Sequence, residues 1–165
     1  MIPRLRPHGV LVPMLQYFTP IFSDYWHTLY KNVPYNLLIK DFYLYPYDIS
    51  SKALNFSGNY SSNGIYLFKG YDNDYHLHAL EISQFALACW ISWRLTKDSS
   101  WLEKALLHCD WLIHNQAENG KWLIYHKNPK YDDLILPWSS GLCQALAISS
   151  LLRAFYYTNK SKYID

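Results

Sequence analysis

Two long segments of this 165-residue chain are apolar on nearly every helical face, and they constrain the fold more than any other feature. The first covers residues 79–95, and the second begins after Ser139 or Ser140 and runs to about Tyr157. A helix that is apolar all round is stable only when it is buried on most of its sides. The sequence therefore predicts two buried helices, each of which needs other helices to cover it.

The segment between them has the pattern of an amphipathic helix. Its apolar residues recur at helical spacing: Leu102, Ala105, Leu106, Cys109, Leu112 and Ile113. Ser100 and Glu103 have the spacing of a capping box, and Asn119 with Gly120 forms a helix stop signal. We expect an outer helix that begins at Ser100, ends near Asn119 and exposes one side to solvent.

Two corners of the chain repeat. "RLTKDSSWLE" at 94–103 and "YYTNKSKYID" at 156–165 each show a helix end, a Thr, a polar turn, an aromatic residue, an apolar residue and an acid. They start 62 residues apart, at 94 and 156, which is typical of repeated helix pairs. The sequence predicts a mainly α fold, a partial (α/α) toroid of helical hairpins, in a truncated chain whose next outer helix begins at about Tyr163.

The N-terminal part has a different character. Residues 1–62 are rich in aromatic and β-branched residues broken by Pro, which predicts an irregular segment with short strands. We therefore divide the chain into this segment and an incomplete toroid domain at 63–165. The start of the chain is not a convincing signal peptide, and no stretch has the length of a membrane span. The compartment stays open.

Composition excludes some classes of function. Hydrophobic residues make up 50% and charged residues 17%, which indicates a globular protein, and a net charge of +2 does not indicate binding to nucleic acid or to a membrane surface. The 16 Tyr, 7 Trp and 7 Phe suit a carbohydrate groove or an ordinary core. The three Cys have no metal-binding spacing and are expected to be buried as small apolar residues.

Three motifs resemble those of the D-glucuronyl C5-epimerase family. They are "NGIYLFKGYDNDYHLHALEISQFALACW" at 63–90, "DWLIHNQAENGKW" at 110–122 and "PWSSGLCQALAISSLLRAFYYT" at 137–158. The resemblance implies a uronate polysaccharide of the heparosan or heparan type as partner, and an isomerase that removes the C5 proton and returns it from the opposite face. Such chemistry needs an acid/base group on each face of the sugar and stabilisation of the developing charge, but no cofactor.

The chain departs from the family pattern in ways that bear on activity. Ser139 stands where the resemblance places a Tyr, Leu146 replaces a Gln and Tyr66 replaces a Pro. Most of the family's catalytic tyrosines lie beyond Asp165, so the catalytic residues stay unknown. We expect this divergent chain to be inactive as an epimerase, unless a missing C-terminal part completes it.

The resemblance also assigns a substrate groove. Its predicted lining residues are Tyr71, His78, Glu81, Gln84, His126, Lys127, Trp138 and Gln144. Each has a structural alternative: capping and a polar lip for His78 and Glu81, a solvated hairpin for His126 and Lys127, helix-entry packing for Trp138. His76 and His78 lack a third ligand at a standard spacing, so no metal site is expected. Arg153 is expected to be structural, bonding to carbonyls or an acid.

Other functional classes stay open. The chain is compatible with a glycan-binding module that keeps the groove without the chemistry, with a relative of polysaccharide lyases, which use similar toroids and also remove the C5 proton, and with a fragment that has no independent function. A homo-oligomer that covers the open apolar face is also compatible with the sequence. Binding without proton exchange, an unsaturated product, or aggregation would distinguish the first three.

Overall fold

The computed structural model describes residues 31–165, apart from residues 39, 71 and 129–132. The described part of the chain is mainly helical, which confirms the predicted class. Its five α-helices are α1 (Tyr35–Leu38), α2 (Ser51–Leu54), α3 (Ala79–Thr96), α4 (Ser99–His114) and α5 (Gly141–Thr158), and a 3-10 turn follows at Ser161–Tyr163. No helix in these described ranges is long and apolar enough to cross a membrane.

Short antiparallel strands precede the long helices, as predicted for the N-terminal segment. The first pair is β1 (Lys31–Asn32) with β2 (Tyr47–Asp48), and the second group is β3 (Asn59–Tyr60), β4 (Tyr66–Lys69) and β5 (Tyr75–His76). In the β4–β5 pair Phe68 lies opposite His76. This register sets an aromatic ring beside a histidine directly before α3 begins.

Helix α3 is the centre of the fold. It packs against α2, α4, α5 and β4, and its middle residues from Phe85 to Ile91 are all buried. The prediction of a helix buried on most sides over 79–95 is confirmed, with the end one residue later at Thr96. Lys97 then adopts a left-handed conformation with φ of 62° and stops the helix. Ile49 and Ala53 belong to the same buried cluster as the α3 residues.

Helix α4 begins and ends earlier than the sequence indicates. Its N-cap is Asp98, whose Oδ1 accepts a hydrogen bond from the Ser100 N–H at 2.9 Å, so the prediction of Ser100 as the cap was wrong. Asp is as good an N-cap as Ser, and here it comes first. The helix ends at His114, because residues 116–120 form a separate turn in which Gly120 has φ of 78°.

Helix α5 is buried on one face only. Ser140 caps it, since its Oγ accepts from the Cys143 N–H at 3.5 Å, and this confirms one of the two predicted caps. The opposite face carries an exposed apolar stripe made of Leu142, Ile148, Leu152 and Tyr156. The sequence of α5 is apolar on nearly every face, as predicted, but the described residues bury only one face of the helix.

Two large polar side chains of the core are hydrogen-bonded. Arg153 donates to the carbonyls of Tyr43, Leu44 and Ser149 at 3.3, 2.6 and 2.8 Å, which confirms its structural assignment. His108 is fully buried and joins α4 to β4, because its Nε2 accepts from the Tyr66 N–H at 3.0 Å. The three cysteines are buried and free, as expected.

Candidate functional site

Three imidazole rings meet at the N-terminus of α3. His76 ends β5, His78 is the N-cap residue of α3, and His126 follows the bridge that joins Ile124 to Trp138. The His126 ring lies 4.7 Å from that of His76 and 4.6 Å from that of His78, centroid to centroid. We call these three residues the histidine cluster.

The β4–β5 hairpin supports the cluster. The Phe68 ring lies 5.2 Å from the His78 ring and 5.7 Å from the His126 ring, and the His76 Nε2–H donates to Asp72 Oδ2 at 2.8 Å. Gly70 leaves room for this arrangement, because a Cβ there would lie 2.8 Å from the ring of His76. The hairpin therefore holds His76 in place through the carboxylate of Asp72 and the backbone of Gly70, which lies close to the His76 ring.

The environment keeps the buried imidazoles neutral. Burial, with smaller contributions from His126 and His76, lowers the pKa of His78 to about 3. Burial and the neighbouring His76 also lower the pKa of His126, while Asp72 opposes that shift. The hydrogen bond from His76 lowers the pKa of Asp72. At neutral pH the cluster thus offers imidazole nitrogens that accept as well as donate hydrogen bonds.

The first turn of α3 adds a carboxyl group. Burial raises the pKa of Glu81, and the nearby ammonium of Lys52 opposes this shift. Neither Glu81 Oε2 nor His78 Nδ1 has a hydrogen-bond partner in the part of the chain that the structure describes. His78 is only 6% exposed. Because buried polar atoms are nearly always bonded, two unpaired atoms within one helical turn favour a site that takes hydroxyl groups.

The segment that carries His126 is held by a side chain of α5. The Trp122 N–H donates to Gln144 Oε1 and Gln144 Nε2 donates to the Trp122 carbonyl, both at 3.0 Å. Further along, the Trp138 Nε1–H donates to the His126 carbonyl at 3.1 Å. Trp138 therefore lies beside His126, whereas both groups of the Gln144 amide bond to the backbone of Trp122.

The remaining predicted site residues are more scattered. Lys127 is exposed next to His126, and Gln84 is half-buried on α3. Tyr71 lies outside the described residues. Ser139, at the position of the family's Tyr, is exposed. Phe68 and Asp72 were missed by the sequence analysis, because only the hairpin register brings them to the histidines.

Two other observations bear on what the cluster does. Among the described residues no three His, Cys, Asp or Glu side chains form a group that could hold a metal ion. A separate cleft of about 230 Å³ lies beside α5, and its lining includes Ile148, Leu152 and Ile164. This cleft is mostly apolar, so the histidine cluster is the stronger candidate for acid/base and anion chemistry.

Comparison with known proteins finds a similarity to one family over the C-terminal third of the chain. Residues 114–165 match the family model described as D-glucuronyl C5-epimerase C-terminus. A D-glucuronyl C5-epimerase from Caenorhabditis elegans is 38% identical over 58 residues. Residues 114–165 are therefore similar to the C-terminal part of the D-glucuronyl C5-epimerases. The resemblance seen in the sequence is thereby confirmed.

The match to the epimerases is partial. It covers 33% of this chain and 9% of the length of the worm enzyme. No solved structure matches the chain. The epimerase-matched residues include His126, Lys127, Trp138 and Gln144, whereas His76, His78 and Glu81 precede them. The histidine cluster therefore joins the epimerase-family segment to a part of the chain outside that match.

Proposed function

We propose that this chain is a glucuronyl C5-epimerase-like protein that holds a uronate polysaccharide of the heparosan type at the histidine cluster. One observation carries the proposal. The family-matched segment supplies His126, and the fold brings its ring to 4.6 Å from His78, a residue assigned to the groove on sequence grounds. The name of the worm relative, a D-glucuronyl C5-epimerase, supports D-glucuronyl groups as the substrate class.

The chemistry of the site suits this ligand. A uronate polymer has one carboxylate and several hydroxyls per disaccharide. Lys127 provides an exposed cation beside His126, and His78 Nδ1 and Glu81 Oε2 offer unpaired polar atoms for hydroxyls. Half-buried Trp138 offers a flat apolar surface next to them, which suits the apolar face of a sugar ring.

We propose in addition that residues 1–165 alone do not epimerise this ligand. Epimerisation needs acid/base groups on opposite faces of the sugar. The three imidazoles form one contiguous cluster, in which the His76 and His126 rings stack and the His78 ring is tilted, so we expect them to approach a bound sugar from the same side. Ser139 has a short hydroxyl that is a much weaker acid than a phenol, so it does not replace the family's Tyr on the other side.

Calorimetric titration with heparosan oligosaccharides tests the binding proposal. The control ligand is the same oligosaccharide with its carboxyl groups reduced to alcohols. We expect binding of the acidic form, and binding at least about tenfold weaker for the reduced form, because the loss of one charge-assisted contact costs about 1.5–3 kcal/mol. Equal affinity for both forms would exclude a uronate-specific site.

We also infer an (α/α) toroid as the larger architecture, with residues 1–62 as a separate segment before it. Helices α3 and α5 would be inner helices, and α4 the outer helix that covers α3. The exposed stripe of Leu142, Ile148, Leu152 and Tyr156 supports this inference, since it is the surface on which a second outer helix would pack.

A further inference from the structure

We propose that the binding of an anionic polymer at the histidine cluster takes up a proton, so that affinity rises as the pH falls. The inference rests on the proposed function and adds regulation to the same site. It is carried by the geometry of the cluster, in which the His126 ring lies within 4.7 Å of two other imidazole rings and one carboxylate bonds to His76.

Neighbouring rings limit how much charge the free cluster holds. His126 lies between two other imidazoles, with ring centroids 4.7 Å from His76 and 4.6 Å from His78. Like charges at this distance disfavour each other's protonated forms. Among the described residues, His76 is the one imidazole of the cluster that bonds to a carboxylate, since its Nε2 lies 2.8 Å from Asp72 Oδ2. The free cluster thus accommodates one positive charge readily and a second only poorly.

The groups around the stack do not relieve this repulsion. Asp72 is the carboxylate that acts on His126 from the hairpin, and it is already bonded to His76. Phe68 contributes an apolar face from β4, and Trp138 contributes a neutral indole N–H to the His126 carbonyl. Lys127 is a further cation next in the chain, and the N-terminus of α3 is positive at His78.

A bound carboxylate changes this balance. His126, the middle ring of the cluster, is half-buried and still reachable, whereas His78 is only 6% exposed. A uronate carboxylate beside His126 adds a counter-charge to that of Asp72, which is bonded to His76, so the imidazolium form of His126 becomes more favourable. By linkage, each proton taken up makes affinity rise by up to about tenfold per unit of decreasing pH.

Calorimetry on the whole chain tests the proposal. Heparosan oligosaccharide is titrated at about pH 7.5, 6.5 and 5.5 at constant ionic strength, in two buffers of different ionisation enthalpy, which counts the protons. We expect uptake of about one proton and an affinity at least about fivefold higher at the lowest pH. His126→Gln should remove both effects. His114→Gln, at an exposed histidine on α4, is the matched control and should keep them.

Two outcomes would overturn the proposal. One is an affinity of the wild-type chain that does not change with pH. The other is a pH dependence that survives in His126→Gln. Because His126→Gln removes a ring from the stack, its thermal unfolding and that of His114→Gln are compared first, and a folded variant is required at each pH.

A second readout separates this inference from the proposed function. If heparosan does not bind at any pH, the proposed function fails, and the proton coupling is then tested with inorganic sulfate alone. The Cε1–H signal of His126 is assigned as the one lost in His126→Gln and is titrated by NMR. A higher midpoint with sulfate supports the coupling, and an unchanged midpoint contradicts it.

Discussion

The side-chain amide of Gln144 pairs with the backbone of Trp122 in both directions, through two hydrogen bonds of 3.0 Å. A side chain of α5 thus takes the place of a neighbouring β-strand for the segment that leads to His126. The indole of Trp122 is anchored as well, because its Nε1–H donates to the Leu112 carbonyl at 2.8 Å. We therefore propose that Gln144 helps to position the segment that leads to His126.

Replacing Gln144 by Leu should destabilise the chain by about 2–3 kcal/mol, because the Trp122 N–H and carbonyl lose their partners. Heparosan binding should weaken as His126 becomes less ordered. Chemical denaturation and calorimetry measure the two effects. Gln116→Leu is the matched control, since exposed Gln116 makes one bond, to the Gly120 carbonyl at 2.9 Å. Equal losses in both variants would show that the pairing at Trp122 is unimportant.

Gly70→Ala should weaken heparosan binding indirectly, because the added methyl group displaces the ring of His76. The added Cβ would lie 2.8 Å from the His76 ring, closer than real Cβ contacts, so the ring must shift within the stack. We expect a stability loss of about 1–2 kcal/mol and a clear loss of affinity. Gly141→Ala is the control, because a Cβ there meets nothing within 4 Å. The control should be neutral or slightly more stable, since Ala favours a helix.

His108→Phe should lower the free energy of unfolding by about 2–3 kcal/mol, although Phe fills a similar volume. The His108 ring accepts from the Tyr66 N–H, so its proton lies on Nδ1, which donates to the Lys104 carbonyl at 2.7 Å. Phe leaves the buried N–H without a partner. Exposed His114 also donates to a carbonyl four residues earlier, so His114→Phe is the control and should change stability by less than about 0.5 kcal/mol.

The same histidine should make stability depend on pH. Burial lowers the pKa of His108 to about 4, below the value of about 6.5 in an unfolded chain. Between these values the unfolded state binds more protons, so stability is present above about pH 6.5 and is lost as the pH falls. Buried His78 acts in the same direction, and Glu81, whose pKa is raised, acts in the opposite direction.

The contribution of His108 is isolated by comparing the wild type with His108→Phe in urea at about pH 7.5, 6.5 and 5.5. Below about pH 6.5, the wild type should lose up to about 1.4 kcal/mol per pH unit more than the variant. Parallel pH profiles would mean that His108 accepts a proton as readily in the folded chain as in the unfolded one.

Local sequence patterns predicted the long helices well. Residues 79–95 and the helix after Ser140 are apolar over so many positions that no other element accommodates them. The start of α4 was harder to predict, because Asp98 and Ser100 are both good N-cap residues. Which of them caps the helix depends on where the chain leaves α3. The end of α4 was predicted too late, because residues 116–120 form a separate turn after the helix. Asn119 and Gly120, which indicated a helix stop, belong to this turn.

The site was only partly predictable, for a different reason. His78 and His126 were selected individually from family motifs, yet their contact spans 48 positions, from 78 to 126, and depends on the Gln144 pairing. Phe68 and Asp72 enter through the register of β4 with β5, which no local pattern specifies. Gln144 was expected to contact a ligand. In the structure its half-buried side-chain amide bonds to the N–H and the carbonyl of Trp122.

One NMR experiment tests the central claim most directly. The chain is incubated with heparosan in deuterated buffer, and the sample reports both saturation transfer from protein to sugar and the intensity of the C5 proton. We predict saturation transfer that is weaker in His126→Gln than in the wild type, together with a C5 signal that does not decay. Absence of transfer would contradict binding of the uronate polymer, and decay of the C5 signal would show that this chain suffices for proton abstraction.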